Sequence, residues 1–438
     1  MRRDPGKPPT VKAKQDDDLI TLERTYRLIT PLFGGGVEAG VPDVKRPISG
    51  KAIRGHLRFW WRATRGGMFG GSLEEMRKKE IEIWGGVGNT SGTPSSIIIS
   101  VLEIPQINDT YHRYMFDANA KAIEDFAPAY VSFPLRPNEN QAASFTLGHS
   151  RINGQNVKYF EFCIKYTFPY KYKAEFDAAH WAWQIFGGLG SRTRRGFGSF
   201  FEIETFANGK RFTANIYVPS SGEKVRSASL LRKYLQEHFT THILLNEWPK
   251  NVPHLDLQAI RIFEEGRNIE DQWKLSIEKY QKFRQNRKNG EYGYSSWPEP
   301  DIIRYITGIS DFKPKIDVFP RAVFGMPIMT HFPQGETPLD TTLIPPGKNR
   351  LGSPLIIRPL DTNAQKCIIF STLKGNQLYD LYKDPSNDLE LQYGLKKYSV
   401  RWCLEQEESK LIVLEGINPP MLNEKTDILQ AFLETFKE

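Results

Sequence analysis

The chain has 438 residues, which is enough for two domains with sizeable cores. Its formal net charge is +8, and this modest excess of lysine and arginine favours a polyanionic partner without identifying one. No run of about 18 apolar residues occurs, so no membrane span is predicted. Residues 1–18 are polar throughout and predict a disordered tail, and three widely separated cysteines are typical of a cytoplasmic protein.

Hydrophobic periodicity predicts alternating strands and helices in the first half of the chain. Strands are predicted at 19–29, 95–104, 129–135, 159–168 and 199–205, and helices at 51–65 and 175–186. The order strand, helix, strands, helix, strand is that of a ferredoxin-like unit.

The second half predicts a further unit of mixed α and β structure, beginning with an alternating strand over 211–218. Helices are predicted at 224–238 and 427–436, a helix ending in a loop at 268–294, turns at 298–300 and 314–347, and a strand pair at 355–359 and 366–373. The fold class is therefore predicted to be α+β, with the first unit ending and the second beginning near residue 206.

The predicted helix at 51–65 carries two separate stripes of side chains. The residues expected to face a core are Ile53, Leu57, Trp60 and Thr64. Those expected on the adjacent face are Arg54, Arg58, Trp61, Arg62 and Arg65. Clustered arginines repel one another unless they meet an anion, and a tryptophan among them offers a flat surface for a base. The helix therefore predicts RNA binding, while the simpler interpretation is a face of solvated arginines.

A loop rich in glycine and arginine follows the predicted helix at 175–186, and it spans 187–198. Glycine allows a second backbone to approach closely, and the arginine fork fits phosphate. We expect Gly188, Gly190, Gly196 and Gly198 to admit an RNA backbone. We expect Arg192, Arg194 and Arg195 to neutralise its phosphates. The alternative is a turn with solvated charges.

Several stretches of the chain resemble the RAMP superfamily, the RNA-binding proteins of CRISPR systems. They are TPLFGG at 30–35, RGHLRFWWRA at 54–63, GLGSRTRRGFG at 188–198, SWPEPD at 296–301, FPRAVFG at 319–325 and RLGSPL at 350–355. Together they are similar to the first-numbered RAMP subunit of the Cmr complex, the type III-B effector.

The resemblance implies two ferredoxin-like (RRM-like) RAMP domains, at 19–206 and 207–438, with insertions near 106–155 and 220–295. It implies RNA binding rather than catalysis, with guide RNA, target RNA or both, and other RAMP subunits, as partners. In this family the region acts where the guide 3′ portion pairs with the target 5′ portion.

Enzyme motifs are missing from the sequence, and no catalytic residue, metal ligand or cofactor is predicted. His56 is the one candidate general base, and on a helical projection it points away from the arginines. Trp297 is expected to wedge into a core. Arg321 and Arg350 either extend an RNA groove or buttress a domain interface, and the sequence leaves both open.

The sequence thus predicts a non-catalytic RNA-binding subunit of a type III-B CRISPR effector, acting in antiviral defence. The predicted RNA-binding residues are Arg54, Arg58, Trp61, Arg62, Gly188, Gly190, Arg192, Arg194, Arg195, Gly196 and Gly198. The alternatives are a RAMP endoribonuclease that processes guide RNA and a structural capping subunit that contacts only protein.

Overall fold

The computed structural model describes the chain in seven stretches separated by short and long gaps. They are 18–103, 112–113, 128–132, 145–213, 227–375, 389–400 and 427–436, with internal gaps at 38–40, 42, 44, 88–91, 148, 153–154, 159–160, 208, 245–246, 288–293, 315–317, 333–339 and 362–365. The predicted tail except residue 18, most of the predicted insertion at 106–155 and Cys403 lie outside the described residues.

Every strand pairing within these stretches is antiparallel. The strands are β1 (Leu19–Leu28), β2 (Leu32–Phe33), β3 (Gly86–Val87), β4 (Gly92–Thr93), β5 (Ile98–Glu103), β6 (His112–Arg113), β7 (Phe145–Leu147), β8 (His149–Ile152), β9 (Gln155–Lys158), β10 (Glu161–Pro169), β11 (Phe200–Ala207), β12 (Lys210–Thr213), β13 (Ile260–Phe263), β14 (Ile328–His331), β15 (Asp340–Ile344), β16 (Leu355–Asp361), β17 (Lys366–Thr372), β18 (Leu389–Tyr393) and β19 (Lys396–Val400).

The α-helices alternate with these strands along the chain. They are α1 (Gly50–Arg65), α2 (Leu73–Trp84), α3 (Ala129–Ser132), α4 (Lys173–Phe186), α5 (Ser227–His242), α6 (Ile269–Arg284), α7 (Glu299–Ile306) and α8 (Ile428–Glu434). Within the described stretches, none of them has the length and apolar character needed to cross a lipid bilayer.

The first sheet has the strand order β12-β11-β1-β10-β5. Helix α1 lies between β1 and β5 in the chain, and α4 lies between β10 and β11, as the sequence predicts for the first unit. Both helices share an aromatic core with the sheet. Tyr26 stacks on Phe162 with ring centroids 5.2 Å apart, and Trp183 packs on Phe200 at 4.4 Å. Helix α1 is therefore fixed against a rigid sheet.

The second sheet has the order β13-β17-β16, and α6 and α8 contribute to its core. Phe370 of β17 stacks on Phe436 just beyond α8 at a centroid distance of 3.9 Å. Trp297 is buried here as predicted, and its indole N–H donates to the carbonyl of Phe283 at 3.1 Å.

A third sheet with the order β14-β15-β18-β19 has a smaller core of its own, to which α7 contributes. The sequence predicted only turns over 298–300 and 314–347, and that prediction is wrong for α7, β14 and β15. Pro300 lies in the first turn of α7, where a missing backbone N–H costs nothing because that N–H has no intrahelical partner.

Two further predictions are corrected by the pairing. Residues 129–132 form α3 rather than a strand, because a short apolar run fits either structure. The strand predicted at 211–218 is β12, which pairs with β11 at the edge of the first sheet and so does not open the second. Residues 214–218 lie outside the described stretches.

The first and second sheets are joined by a buried cation. The guanidinium of Arg358 on β16 is fully buried and donates to the carbonyls of Gln184 at 2.9 Å and Phe200 at 2.5 Å. Gln184 lies in the last turn of α4, where carbonyls lack intrahelical partners and a cation is favoured. Burial lowers the pKa of Arg358 to about 9.

Replacing Arg358 with Met should destabilise the protein by about 2–4 kcal/mol, because two buried carbonyls lose their donor. Arg261→Met is the matched control on β13 of the same sheet, since Arg261 donates to the nearby carbonyls of Gln258 and Ile260. Urea denaturation measures both. Equal losses would show that Arg358 does not join the sheets.

Candidate nucleic-acid interface

Helix α1 buries the stripe that the sequence predicted, with Ile53, Leu57, Trp60 and Thr64 all in the core. Its arginine face is different from the prediction. The Nε of Arg58 and an Nη of Arg62 both donate to one oxygen of Glu80 on α2, at 2.8 and 2.5 Å. These two arginines therefore already have an anionic partner inside the protein.

The prediction that Trp61 stacks on a nucleotide is wrong. Its side chain has no exposed surface, packs near Phe69 and donates its indole N–H to Glu175 of α4 at 2.6 Å. Helix α1 contacts neighbours on both sides of its apolar stripe, so an indole on the adjacent face is buried too. A periodicity argument identifies one buried stripe and misses the second.

The glycines of the loop at 187–198 are required by the protein's own backbone. Gly198 has φ +61° and a Cβ there would collide with the carbonyl of Leu189. Gly190 has φ +74°, and its Cβ would lie 2.5 Å from the carbonyl of Phe33. A Cβ at Gly188 would lie 2.9 Å from the methyl carbon of Thr193, and a Cβ at Gly196 would collide with the indole of Trp273. The expectation that these glycines admit an RNA backbone is corrected, because protein atoms fill the space.

Two of the loop arginines are half-buried and donate to protein groups, and one of them, Arg195, binds the second unit. Arg195 donates to the carbonyl of Leu355 at 2.9 Å and to the hydroxyl of Tyr280 at 3.0 Å, with its guanidinium over that ring. Arg192 adopts φ 55° and donates to the carbonyl of Val131 at 3.2 Å. Both predicted phosphate ligands are thereby engaged with protein groups.

Arg194 differs from its two neighbours because it borders open space. Its guanidinium lies 5.8 Å from the centre of the Phe59 ring of α1 and donates to the carbonyl of Ser353. Burial, reinforced by the nearby charge of Arg195, lowers the pKa of Arg194 to about 10. An anion beside this guanidinium would favour its charged form.

The open space is a cleft of about 610 Å³, which we call the basic cleft. It is bordered by α1, α2, the loop at 187–198, the segment 250–253 and the segment 350–352. Its lining residues are Arg58, Phe59, Arg62, Leu73, Met76, Arg77, Glu80, Arg194, Lys250, Asn251, Val252, Pro253, Arg350, Leu351 and Gly352. Six of these residues are cationic and only Glu80 is acidic.

The basic cleft brings together three of the predicted site residues, Arg58, Arg62 and Arg194. Arg54 is half-buried on α1 and does not line the cleft. The sequence reasoning missed Arg77, Lys250 and Phe59 as site residues. Phe59 sits inside the quoted RGHLRFWWRA stretch, and it is the aromatic neighbour that reaches the cleft.

Arg321 and Arg350 take different roles. Arg321 pairs with the buried carboxylate of Glu299 at 3.2 Å and donates to the carbonyl of Arg284, so it buttresses the second unit. Arg350 is exposed and lines the basic cleft.

His56 is half-buried against α4, on a side of α1 away from Arg58 and Arg62, as its helical position predicts. Its ring lies parallel to that of Trp183, with centroids 6.3 Å apart. Burial lowers the pKa of His56 to about 4. The part of the chain that the structure describes holds no group of three or more His, Cys, Asp or Glu side chains suited to a metal ion.

Comparison with known proteins gives matches at the level of sequence and of fold. Residues 25–201 match the model of the RAMP superfamily. A 178-residue stretch is 26% identical to the CRISPR system Cmr subunit Cmr1-2 of Pyrococcus furiosus, and covers 39% of this chain and 89% of that protein.

Two solved structures are similar in outline. One is the crystal structure of Cmr1 from Pyrococcus furiosus in its apo form, with a TM-score of 0.46, 15% identity, and coverage of 81% of this chain and 87% of that chain. The other is the cryo-EM structure of the type III-B Cmr-beta bound to cognate target RNA, with a TM-score of 0.46, 11% identity, and coverage of 82% and 95%.

Residues 25–201 therefore form a RAMP superfamily domain, and this domain contains α1, α4 and the glycine-rich loop. A 178-residue stretch of the chain is homologous to a Cmr1 subunit of the CRISPR Cmr system.

Gly198→Ala should destabilise the protein by more than about 2 kcal/mol, because the new Cβ meets both an unfavourable φ and the Leu189 carbonyl. Gly308→Ala isolates the first effect, since Gly308 has φ +79° with nothing within 4 Å, and should cost about 1 kcal/mol. Thermal denaturation separates the two. Equal costs would mean that the loop can relax around the added methyl group.

Protein stability should fall as the pH drops from about 6.5 towards 4, in part through His56. The unfolded chain binds a proton at its normal pKa of about 6.5, while the folded ring stays neutral down to about 4. His56→Gln should remove roughly 2 kcal/mol of the loss between pH 7 and 4.5, measured by urea denaturation. His331→Gln, in an exposed hairpin, is the control. An unchanged pH profile for His56→Gln would contradict the burial of this ring.

Proposed function

We propose that the chain is a non-catalytic RNA-binding component of a type III-B CRISPR effector that acts in antiviral defence, and that RNA binds in the basic cleft. The RAMP superfamily match of residues 25–201 and the homology of a 178-residue stretch to a Cmr subunit support membership of such an effector. The observation that carries the proposal is the basic cleft itself, where six cationic side chains and one carboxylate line a single concavity.

Both units are proposed to be ferredoxin-like. In the first, the four strands β1, β5, β10 and β11 alternate with α1 and α4 in the order expected of this class. In the second, β13, α6, β16, β17 and α8 follow the same order as far as the described residues go. The boundary is proposed to lie between β12 and β13, because β12 belongs to the first sheet.

The charge pattern favours a phosphate backbone as the ligand. Arg77, Lys250 and Arg350 are exposed at the cleft, and Arg194 is held there with its pKa lowered by burial. Contacts of this kind neutralise phosphates and carry no sequence information. The cleft is therefore proposed to hold single-stranded RNA with little sequence preference.

Phe59 is proposed to take the stacking role that the sequence assigned to Trp61. Its ring is half-buried, lines the cleft and lies beside the Arg194 guanidinium. A base that stacks on an aromatic side chain gains about 1–3 kcal/mol, and arginine over the same ring adds to binding.

The absence of catalysis is proposed from the position of His56. A general base must reach the 2′-hydroxyl that it deprotonates. His56 packs on Trp183, on the side of α1 away from Arg58 and Arg62. Incubation of the protein with guide precursor without metal tests the endoribonuclease alternative, because cleavage would leave a 2′,3′-cyclic phosphate.

The partners proposed for this chain are guide RNA, target RNA and neighbouring RAMP subunits.

Arg194→Ala and Arg350→Ala should each weaken binding to a single-stranded RNA oligonucleotide, measured by fluorescence anisotropy from 50 to 300 mM salt. Each lost phosphate contact on a single strand should lower the slope of log affinity against log salt by about 0.7. The expected loss is uniform across RNA sequences, since the contacts are electrostatic.

Arg211→Ala is the matched control, because Arg211 is an exposed arginine on the edge strand β12 and does not line the cleft. Slopes that are unchanged in both cleft variants, or equally reduced in the control, would contradict RNA binding in the cleft. A cleft variant that is as stable as wild type without RNA, but no longer assembles into the effector, would instead favour a capping subunit that contacts only protein.

A further inference from the structure

The acidic residue of the basic cleft has an unusual position. The side chain of Glu80 is 6% exposed, while those of Arg58 and Arg62 are about one third exposed at 34% and 32%. One oxygen of Glu80 accepts from both guanidiniums. The carboxylate thus lies beneath the arginine pair, and the remaining donors of the pair lie nearer to the cleft opening.

The position of Glu80 makes it difficult for RNA to displace it. A phosphate that replaced Glu80 would leave a buried carboxylate without its two cationic partners, which is strongly unfavourable. A phosphate that approaches from the opening leaves the ion pairs intact. Arg58, Arg62 and Glu80 then act together as a group with a net charge of one.

We propose that Glu80 is a built-in electrostatic competitor that keeps sequence-independent binding in the basic cleft weak. The inference rests on the proposed function of the cleft. With Glu80 in place, Arg58 and Arg62 together contribute as much free energy to phosphate binding as one unpaired cation would. The cleft therefore holds RNA firmly only where further contacts, such as those made within an assembled effector, add to its own.

Two variants separate the effect of the charge of Glu80 from the effect of its side-chain length. Glu80→Gln removes the negative charge at nearly constant size, so RNA binding should tighten by about three- to tenfold at low salt. The salt slope should steepen by about 0.7, the value for one added phosphate contact on a single strand. Glu80→Asp keeps the charge with a shorter side chain, so its slope should stay at the wild-type value.

A third variant tests the proposal even if Glu80→Gln fails to fold. The triple change Arg58→Met, Arg62→Met and Glu80→Leu replaces the group by apolar residues, a kind of substitution that is often tolerated. If Glu80 cancels one of the two arginines, the triple variant loses about 0.7 from the slope. A loss of about 1.4 would show two independent arginines and would overturn the proposal.

Glu74→Gln is the matched control, because Glu74 is exposed on the same helix and does not line the cleft. All variants are measured in the full chain, by anisotropy with single-stranded RNA and by the salt needed for elution from heparin. Weaker binding, or an unchanged slope, in Glu80→Gln relative to Glu74→Gln would overturn the proposal.

Elution from heparin distinguishes a failure of the proposal for Glu80 from a failure of the proposed RNA-binding function. Wild-type protein that is retained by heparin and fails to bind RNA would refute the proposed function. The comparison of Glu80→Gln with Glu74→Gln on heparin would still decide whether Glu80 neutralises the cleft.

Discussion

The structure depends on the close contact between the glycine-rich loop and the second sheet. Arg195 reaches out of the loop to Leu355 and Tyr280, and Arg358 reaches back from β16 to the end of α4 and the start of β11. Each guanidinium satisfies carbonyl groups that would otherwise be buried without donors. The glycines permit this contact, because a Cβ at Gly196 would displace the indole of Trp273. The basic cleft exists because these contacts hold the two units against each other.

Much of the fold could be predicted because it follows from local periodicity. The sequence locates the strands β1, β10 and β11 and the helices α1 and α4 within a few residues, and it locates the start of α6. Pairing between distant segments is not local, which is why β12 was assigned to the wrong sheet. The sequence also does not predict the four-stranded third sheet, because its strands lie among prolines and glycines that favour turns.

The candidate site could be predicted only in part, for a related reason. The sequence shows that arginines need anions and that glycines admit a second backbone, and it does not show which anion or which backbone. Glu80 lies 18 and 22 residues from its two partners, on a helix that the sequence reasoning did not identify. The residues that do border the cleft from the second unit, such as Arg350, meet Arg62 only through the tertiary fold.

Arg194 belongs both to the basic cleft and to the contact between the two units. Its one side chain lies over Phe59 of α1, donates to the carbonyl of Ser353 and lines the cleft. On the proposed function, an anion that restrains this guanidinium would also restrain its contact with Ser353, so ligand binding and unit docking would share a coupling free energy. Such coupling is reciprocal. Separation of the units would then lower the affinity of the cleft by the same factor by which an empty cleft weakens their docking.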